Sequence, residues 1–280
     1  MSNDSDIYDL ILTVAKNNIH IKGVYLNGSR ANPFVWDDEH QDFDIVFVVD
    51  NVEKMITQKQ WINEFGTILI KQIPKEELLY PVDKEMPYSV NLLLSNFKRL
   101  DLTVIDITKI DCYLEENQFA VLLFDKGYHL PTIDEPTDQH CWVKVPSQQL
   151  FDECLDEFYL MALNVLKGLW RKHLIYAMDY FDICRKMVLL MWSWDKSDKY
   201  NFEVNMGKHL KYLHNYLDIN EQAVLRTFYP KFKEQEILQA LITMVEYFDE
   251  LSKQVSNKLE FIYKEQIVRT IKMHIKTLIY

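Results

Sequence analysis

The sequence predicts an α+β protein in two parts, in which an N-terminal α+β half is followed by a C-terminal α-helical bundle. Three observations predict it. Short apolar runs at strand spacing alternate with helical segments up to about residue 130. A stretch from Pro131 to Pro146, with three prolines among Asp, Thr and Gln, then reads as a linker. Beyond it, apolar residues recur at steps of one, three and four with few strand signals. The division is placed at 1–145 and 146–280, and 280 residues that are 48% apolar suffice for two cores.

Taken in order, Ile7, Leu10, Ile11, Val14 and Ala15 predict a helix over Asp6 to Asn18, with Ser5 or Asp6 as its cap. Val24 to Leu26 is a short strand running into Gly28-Ser29, and after a polar loop with Pro33 the run Phe43 to Val49 reads as a buried strand. A second helix is expected over Lys59 to Lys71. Ser89 to Leu94 and Leu100 to Ile107 are strands joined by Ser95-Asn96, and Phe119 to Phe124 is another before Asp125-Lys126-Gly127. In the second half, Phe151, Leu155, Phe158, Tyr159, Ala162, Val165, Leu166 and Leu169 mark a long helix. Further helices fit His173–Trp192, Met206–Leu217, Asn220–Phe228, Lys233–Val255 and Glu260–Leu278, which together make a bundle.

The formal net charge is −11, from 31 basic and 42 acidic residues, which repels nucleic-acid phosphates and attracts polycations, or else serves solubility alone. No run reaches the roughly 18 apolar residues of a membrane span, and no basic leader opens the chain. Four cysteines without a Cys-x-x-Cys pair are expected to be reduced core thiols, which fits a cytoplasmic protein. The histidines lack zinc-ligand spacing.

The chemistry concentrates in the first half. Gly28-Ser29, directly after a strand, lets a ligand approach backbone N–H groups and a hydroxyl, with Arg30 adding charge; alone, such a turn is usually only a turn. In Asp42-Phe43-Asp44 the strand alternation puts both carboxylates on one face. Composition alone supplies about six acid-x-acid triplets, so it is the placement against a long apolar run that matters. A partly desolvated carboxylate pair calls for a cation, and oxygen ligands suit Mg²⁺ completed by phosphates. Asp101, inside the apolar Leu100–Ile105, adds a third carboxylate, or else is a strand-end residue facing water. Three carboxylates beside a phosphate-binding turn can hold metal and take a proton from an attacking hydroxyl.

These residues resemble the DNA polymerase β-like nucleotidyltransferase superfamily, and within it the aminoglycoside 6-adenylyltransferases, also called streptomycin adenylyltransferases. LNGSRAN at 26–32, QDFDIVFVV at 41–49 and LDLTVI at 100–105 carry the wider likeness. WVKVPS at 142–147, FDECLDEF at 151–158, KGLWR at 167–171, IYAMDY at 175–180 and MGKHLKYL at 206–213 carry the narrower one. The resemblance implies a nucleotidyltransferase domain built on a mixed sheet with flanking helices, followed by a helical acceptor-binding domain. It implies Mg²⁺ on Asp42 and Asp44, ATP phosphates on Gly28, Ser29 and Arg30, and Asp101 as third carboxylate, ligand or base. His40 departs from the aromatic expected before Gln41-Asp42.

A cationic acceptor such as streptomycin calls for carboxylates. Asp152, Glu153, Asp156 and Glu157 crowd a helix start, where the dipole alone explains most of them; Glu157, nearest the apolar stripe, is either functional or structural. Asp179, edged by Ile175, Tyr176 and Ile183, and Asp182 one turn on are further acceptor candidates, or partners of Arg185 and Lys186. Lys208, after Met206-Gly207, is a candidate for the nucleotide phosphates, or a solvated surface lysine. AMP transfer from Mg·ATP to streptomycin, at its 6-hydroxyl, with release of pyrophosphate and antibiotic resistance as the outcome, is the leading expectation. The alternatives are another acceptor (a different aminoglycoside, a lincosamide, a protein or a tRNA end) and a catalytically silent nucleotide-binding module.

Overall fold

The computed structural model describes residues 4–36, 38–83 and 85–279. The chain divides into two units, Met1–His140 and Cys141–Tyr280.

In the first unit, α1 (Asp4–Asn17) buries Ile7, Ile11, Val14 and Ala15, one face of a helix whose first turn carries Asp4 and Asp6 and whose last carries Lys16. The strands are β1 (Ile21–Asn27), β2 (Phe43–Val49), β3 (Ile68–Gln72), β4 (Tyr88–Leu94), β5 (Arg99–Asp106) and β6 (Val121–Asp125). They form one sheet in the order β3-β4-β5-β2-β1-β6. Only β2 and β5 run parallel; the other neighbours are antiparallel, so the sheet is mixed.

β2 sits in the middle and is buried on both sides, which is why it reads as a continuous apolar run. Phe43, Ile45, Phe47 and Val49 join α1 and the short helices α3 (Val52–Thr57) and α4 (Gln60–Asn63) in one core. Val46 and Val48 face a smaller core with Tyr25, Ile105 and α5 (Ile110–Glu116). By alternation Asp44 belongs to this second face.

The helix expected over Lys59 to Lys71 is corrected: only Gln60–Asn63 is helical there, and Ile68–Gln72 is a strand. Trp61, Ile62 and Phe65 do carry a helical apolar pattern, but β-branched Ile68 and Ile70 pair with the edge of β4 instead.

The second unit is helical, apart from one bridge between Trp142 and Asn205. Its elements are α6 (Gln148–Trp170), α7 (Leu174–Asp198), α8 (Ile219–Thr227), α9 (Glu234–Lys258) and α10 (Glu265–Ile279). The Ser147 hydroxyl caps α6 by accepting from the Leu150 amide at 3.1 Å. Phe158 on α6 stacks on Phe248 of α9 with ring centroids 3.8 Å apart. The buried carboxylate of Asp249 is held by Lys272, by Lys253 and by the Tyr263 hydroxyl.

The helix expected over Met206–Leu217 is also corrected, since two short 3₁₀ turns, Lys208–Leu210 and Leu213–Tyr216, take its place. Gly207, His209 and Leu210 all have φ between 58° and 71°, a conformation no α-helix accommodates. Of the four cysteines expected to be core thiols, Cys154 and Cys184 are buried, whereas Cys112 and Cys141 are exposed; all four are free. Among the described residues no helix is long and apolar enough to cross a membrane.

Candidate active site

β1 ends at Asn27 and the chain turns at once into α2 (Gly28–Ala31). Gly28 has φ +67°, and a Cβ built on it would lie 1.8 Å from Asp44 Oδ2. Only glycine permits both the backbone conformation and this contact, so the Gly28-Ser29 turn lies against the Asp44 carboxylate because residue 28 has no side chain. Ser29 is half-buried in the same turn.

Strand register builds the rest. Asn27 pairs with Asp44 across β1/β2, Asp44 with Asp101 across β2/β5, and Asp101 with Asn91 across β4/β5. Residues opposite one another project to the same face, so Asn27, Asp44, Asp101 and Asn91 form one polar row across four strands. Asp42 lies just before β2. Burial pushes its carboxyl above the usual range and Asp101 adds to that, while Arg99 and Arg30 act in the opposite sense without reversing it.

One cation already stands in this row. Arg99, two residues before Asp101 on the same strand face, donates from Nε to Oδ1 of Asp101 at 2.9 Å and from Nη2 to Oδ2 at 2.8 Å. Its Nη1 is 3.5 Å from Asp42 Oδ2. The bond to Asp101 and the charges of Asp101, Asp42 and Asp44 hold the guanidinium pKa above its ordinary value, outweighing burial. The donor chemistry therefore fits a cation bound through oxygen. Among the described residues, no three His, Cys, Asp or Glu side chains stand together as a ready-made metal site, and both Asp101 oxygens are held by Arg99.

On the other side of the row, Asn27 Nδ2 donates to the Tyr113 hydroxyl at 2.5 Å and to Asn117 Oδ1 at 2.9 Å. Tyr113, on α5, has its phenol pushed up to about 12 by burial, with the Asp44 charge contributing in the same direction.

Arg30 is placed differently from the phosphate-facing position expected of it. Nε and Nη2 donate to the Gln41 carbonyl at 3.1 and 2.9 Å, Nη1 reaches Asp4 at 2.8 Å, and the guanidinium lies 4.0 Å from the Phe43 ring centroid. Phe43 belongs to the α1 face, so Arg30 fastens the back of the site. A phosphate contact would require these bonds to break.

In the second unit Glu157 is half-buried on α6, and its charge reaches Cys184 on α7. Asp179 is exposed, and it is Asp182 that pairs with Arg185, at 2.8 Å. Lys208 is exposed in the first 3₁₀ turn.

The sequence profile of the streptomycin adenylyltransferase family matches residues 1–278. The chain belongs to the streptomycin adenylyltransferase family. Aminoglycoside 6-adenylyltransferases of Bacillus subtilis (strain 168) and Campylobacter jejuni are 32% and 31% identical to it, over 95% and 94% of this chain and 94% and 91% of their own lengths. The one from Staphylococcus aureus is 28% identical over 91% of this chain and 92% of its own. A crystal structure of an aminoglycoside 6-adenyltransferase from Bacillus subtilis aligns over 99% of both chains at 27% identity, with a TM-score of 0.49.

As a member of the streptomycin adenylyltransferase family the chain is a nucleotidyltransferase, and Arg99, Asn27, Asn91 and Tyr113 are residues of the candidate site that the sequence alone did not single out. Arg99 carried a usable signal, because it lies two positions before Asp101 and so shares its face. Asn91 and Tyr113 carried none, because they reach the row only through register and the packing of α5.

Proposed function

We propose that the chain transfers AMP from Mg·ATP to a hydroxyl of a cationic aminoglycoside, streptomycin at its 6-hydroxyl, with release of pyrophosphate and antibiotic resistance as the consequence. The observation that carries this reading is the polar row with Asp44 and Asp101 beside Asp42, set against the Gly28-Ser29 turn. Three relatives named aminoglycoside 6-adenylyltransferases, each covered over more than nine-tenths of its length, support the acceptor class.

Asp42, Asp44 and Asp101 would hold Mg²⁺, which when bound compensates the charge of the triphosphate and of the departing pyrophosphate. The Gly28 and Ser29 amides and the Ser29 hydroxyl bind phosphate oxygens. The bond from the acceptor oxygen to the α-phosphorus forms as the bond from that phosphorus to the β-phosphate oxygen breaks. The hydroxyl proton passes to a carboxylate, Asp101 or, failing that, Glu157. Glu157, Asp179 and Asp182 are the acceptor-binding carboxylates in this reading, and Lys208 pairs with nucleotide phosphate.

The test is pyrophosphate release from Mg·ATP with streptomycin, kanamycin, spectinomycin or no acceptor. Release with streptomycin alone, lost in Asp42→Asn and Asp44→Asn variants that keep their fold, is expected. Release with kanamycin or spectinomycin instead would replace the acceptor, and release with none of them would remove the aminoglycoside reading.

A further inference from the structure

Strand register sets Asp44 beside Asp101, and one cationic side chain sits among these carboxylates. The Arg99 fork engages both oxygens of Asp101 and leans on Asp42 at 3.5 Å. Arg99 is half-exposed while Asp101 is less so, which places the guanidinium at the outer rim with a path into water. The neighbouring Lys98 takes no part, since it turns to Asp4 at 2.8 Å. A fork on both Asp101 oxygens occupies the lone pairs that a divalent ion would use, and two cations so close together repel.

We propose that Arg99 is a displaceable counter-ion: it neutralises Asp42 and Asp101 in the free protein and must release Asp101 before Mg²⁺ binds, so that it tunes metal affinity from inside the site. Once released, its long stem leaves the guanidinium free to pair with a phosphate of the incoming nucleotide. Arg99 is a positioning residue in this scheme, and the scheme rests on Asp42, Asp44 and Asp101 being the metal-binding carboxylates.

The experiment is a Mn²⁺ titration of the full chain without nucleotide, in which free Mn²⁺ is read by electron paramagnetic resonance. Wild type, Arg99→Gln, Arg99→Lys and Asp44→Asn are compared, with circular dichroism reporting the fold. Arg99→Gln is expected to bind Mn²⁺ at least about tenfold tighter than wild type, because the competing charge is gone. Arg99→Lys, which cannot form the fork, should fall in between. The thermal midpoint of Arg99→Gln should drop below that of wild type without metal and recover when Mn²⁺ is added. Unchanged or weaker binding in Arg99→Gln, with binding lost in Asp44→Asn, would overturn the counter-ion role and leave the metal assignment standing. If no protein binds Mn²⁺, the metal assignment itself falls and takes this role with it. Should Arg99→Gln not fold, Arg99→Lys decides: tighter binding than wild type supports the role and equal binding overturns it.

Discussion

Gly28→Ala isolates the contact on which the site is built. The added methyl would stand 1.8 Å from Asp44 Oδ2, and about 1.2 Å of movement is needed to reach the 3.0 Å that real Cβ atoms respect. Two responses are open to the protein. The backbone can leave φ +67°, which dismantles the turn, or the Asp44 carboxylate can shift along a row already fixed by strand register. A left-handed alanine costs about 1–2 kcal/mol, so the fold should survive with a modest loss, measurable by urea denaturation. Misplacing a reacting group by about 1 Å costs on the order of 100-fold in rate. Gly28→Ala should therefore lose at least that factor in pyrophosphate release while losing only about 1–2 kcal/mol of stability. A variant that turns over like wild type would refute the reasoning, because Asp44 could then not be the group whose position matters.

Asp42→Asn should leave the unliganded chain at least as stable as wild type, since burial and Asp101 push that carboxyl up, while abolishing pyrophosphate release; a clear drop in denaturation midpoint would contradict this. Arg30→Gln should cost about 2 kcal/mol by removing charge-assisted bonds to Asp4 and the Gln41 carbonyl, with a smaller change in the KM for ATP than in stability; a large rise in that KM with stability intact would restore the phosphate role. For Asp249, burial alone would raise the carboxyl, but Lys272, Tyr263 and Lys253 hold it below its ordinary value. A depressed native pKa means stability that is full above the unfolded value near 4 and lost as pH falls through the native one, so Asp249→Asn should flatten the acid limb of the stability curve. Asp249→Ala should cost about 3 kcal/mol at neutral pH by leaving Lys272 partly unpaired.

Much of the candidate site could be proposed from the sequence because its chemistry is local. A glycine directly after a strand, an Asp-x-Asp at the head of an apolar run and an Asp within another each declare themselves by pattern, and β2 was bounded at Phe43 and Val49 from apolar content alone. What escaped depends on pairing. The helical reading of Lys59 to Lys71 failed because nothing local records that β4 has an open edge at that point. The 3₁₀ turns after Gly207 were missed because MGKHLKYL has good helical spacing, and only the positive φ of His209 and Leu210 betrays it. Arg30 was assigned to phosphate by the family resemblance, and the direction of its side chain is not written in that motif. A four-residue helix suffices to carry its side chain round to Phe43, on the other side of the sheet from Asp44.

The two arginines thus divide the labour by face. Arg30 is nine-tenths buried, on the α1 side, with its nitrogens on fixed partners; Arg99 is half-exposed on the row side, with its nitrogens on carboxylates that a metal would claim. Bonds made by Arg30 are lost only on unfolding, so removing it should appear in stability. Bonds made by Arg99 would be lost on metal binding as well, so removing it should appear in metal affinity in addition to the stability of the metal-free chain. Both charges reach Asp42, which gives the pair one shared partner. At about 0.15 M salt the Debye length is near 8 Å and such a shared electrostatic effect is small, so Arg30→Gln and Arg99→Gln should add within about 0.5 kcal/mol in a double-variant cycle on stability. A coupling well beyond that would mean that Arg30 and Arg99 position Asp42 together, and that the back of the sheet takes part in organising the carboxylates on its front.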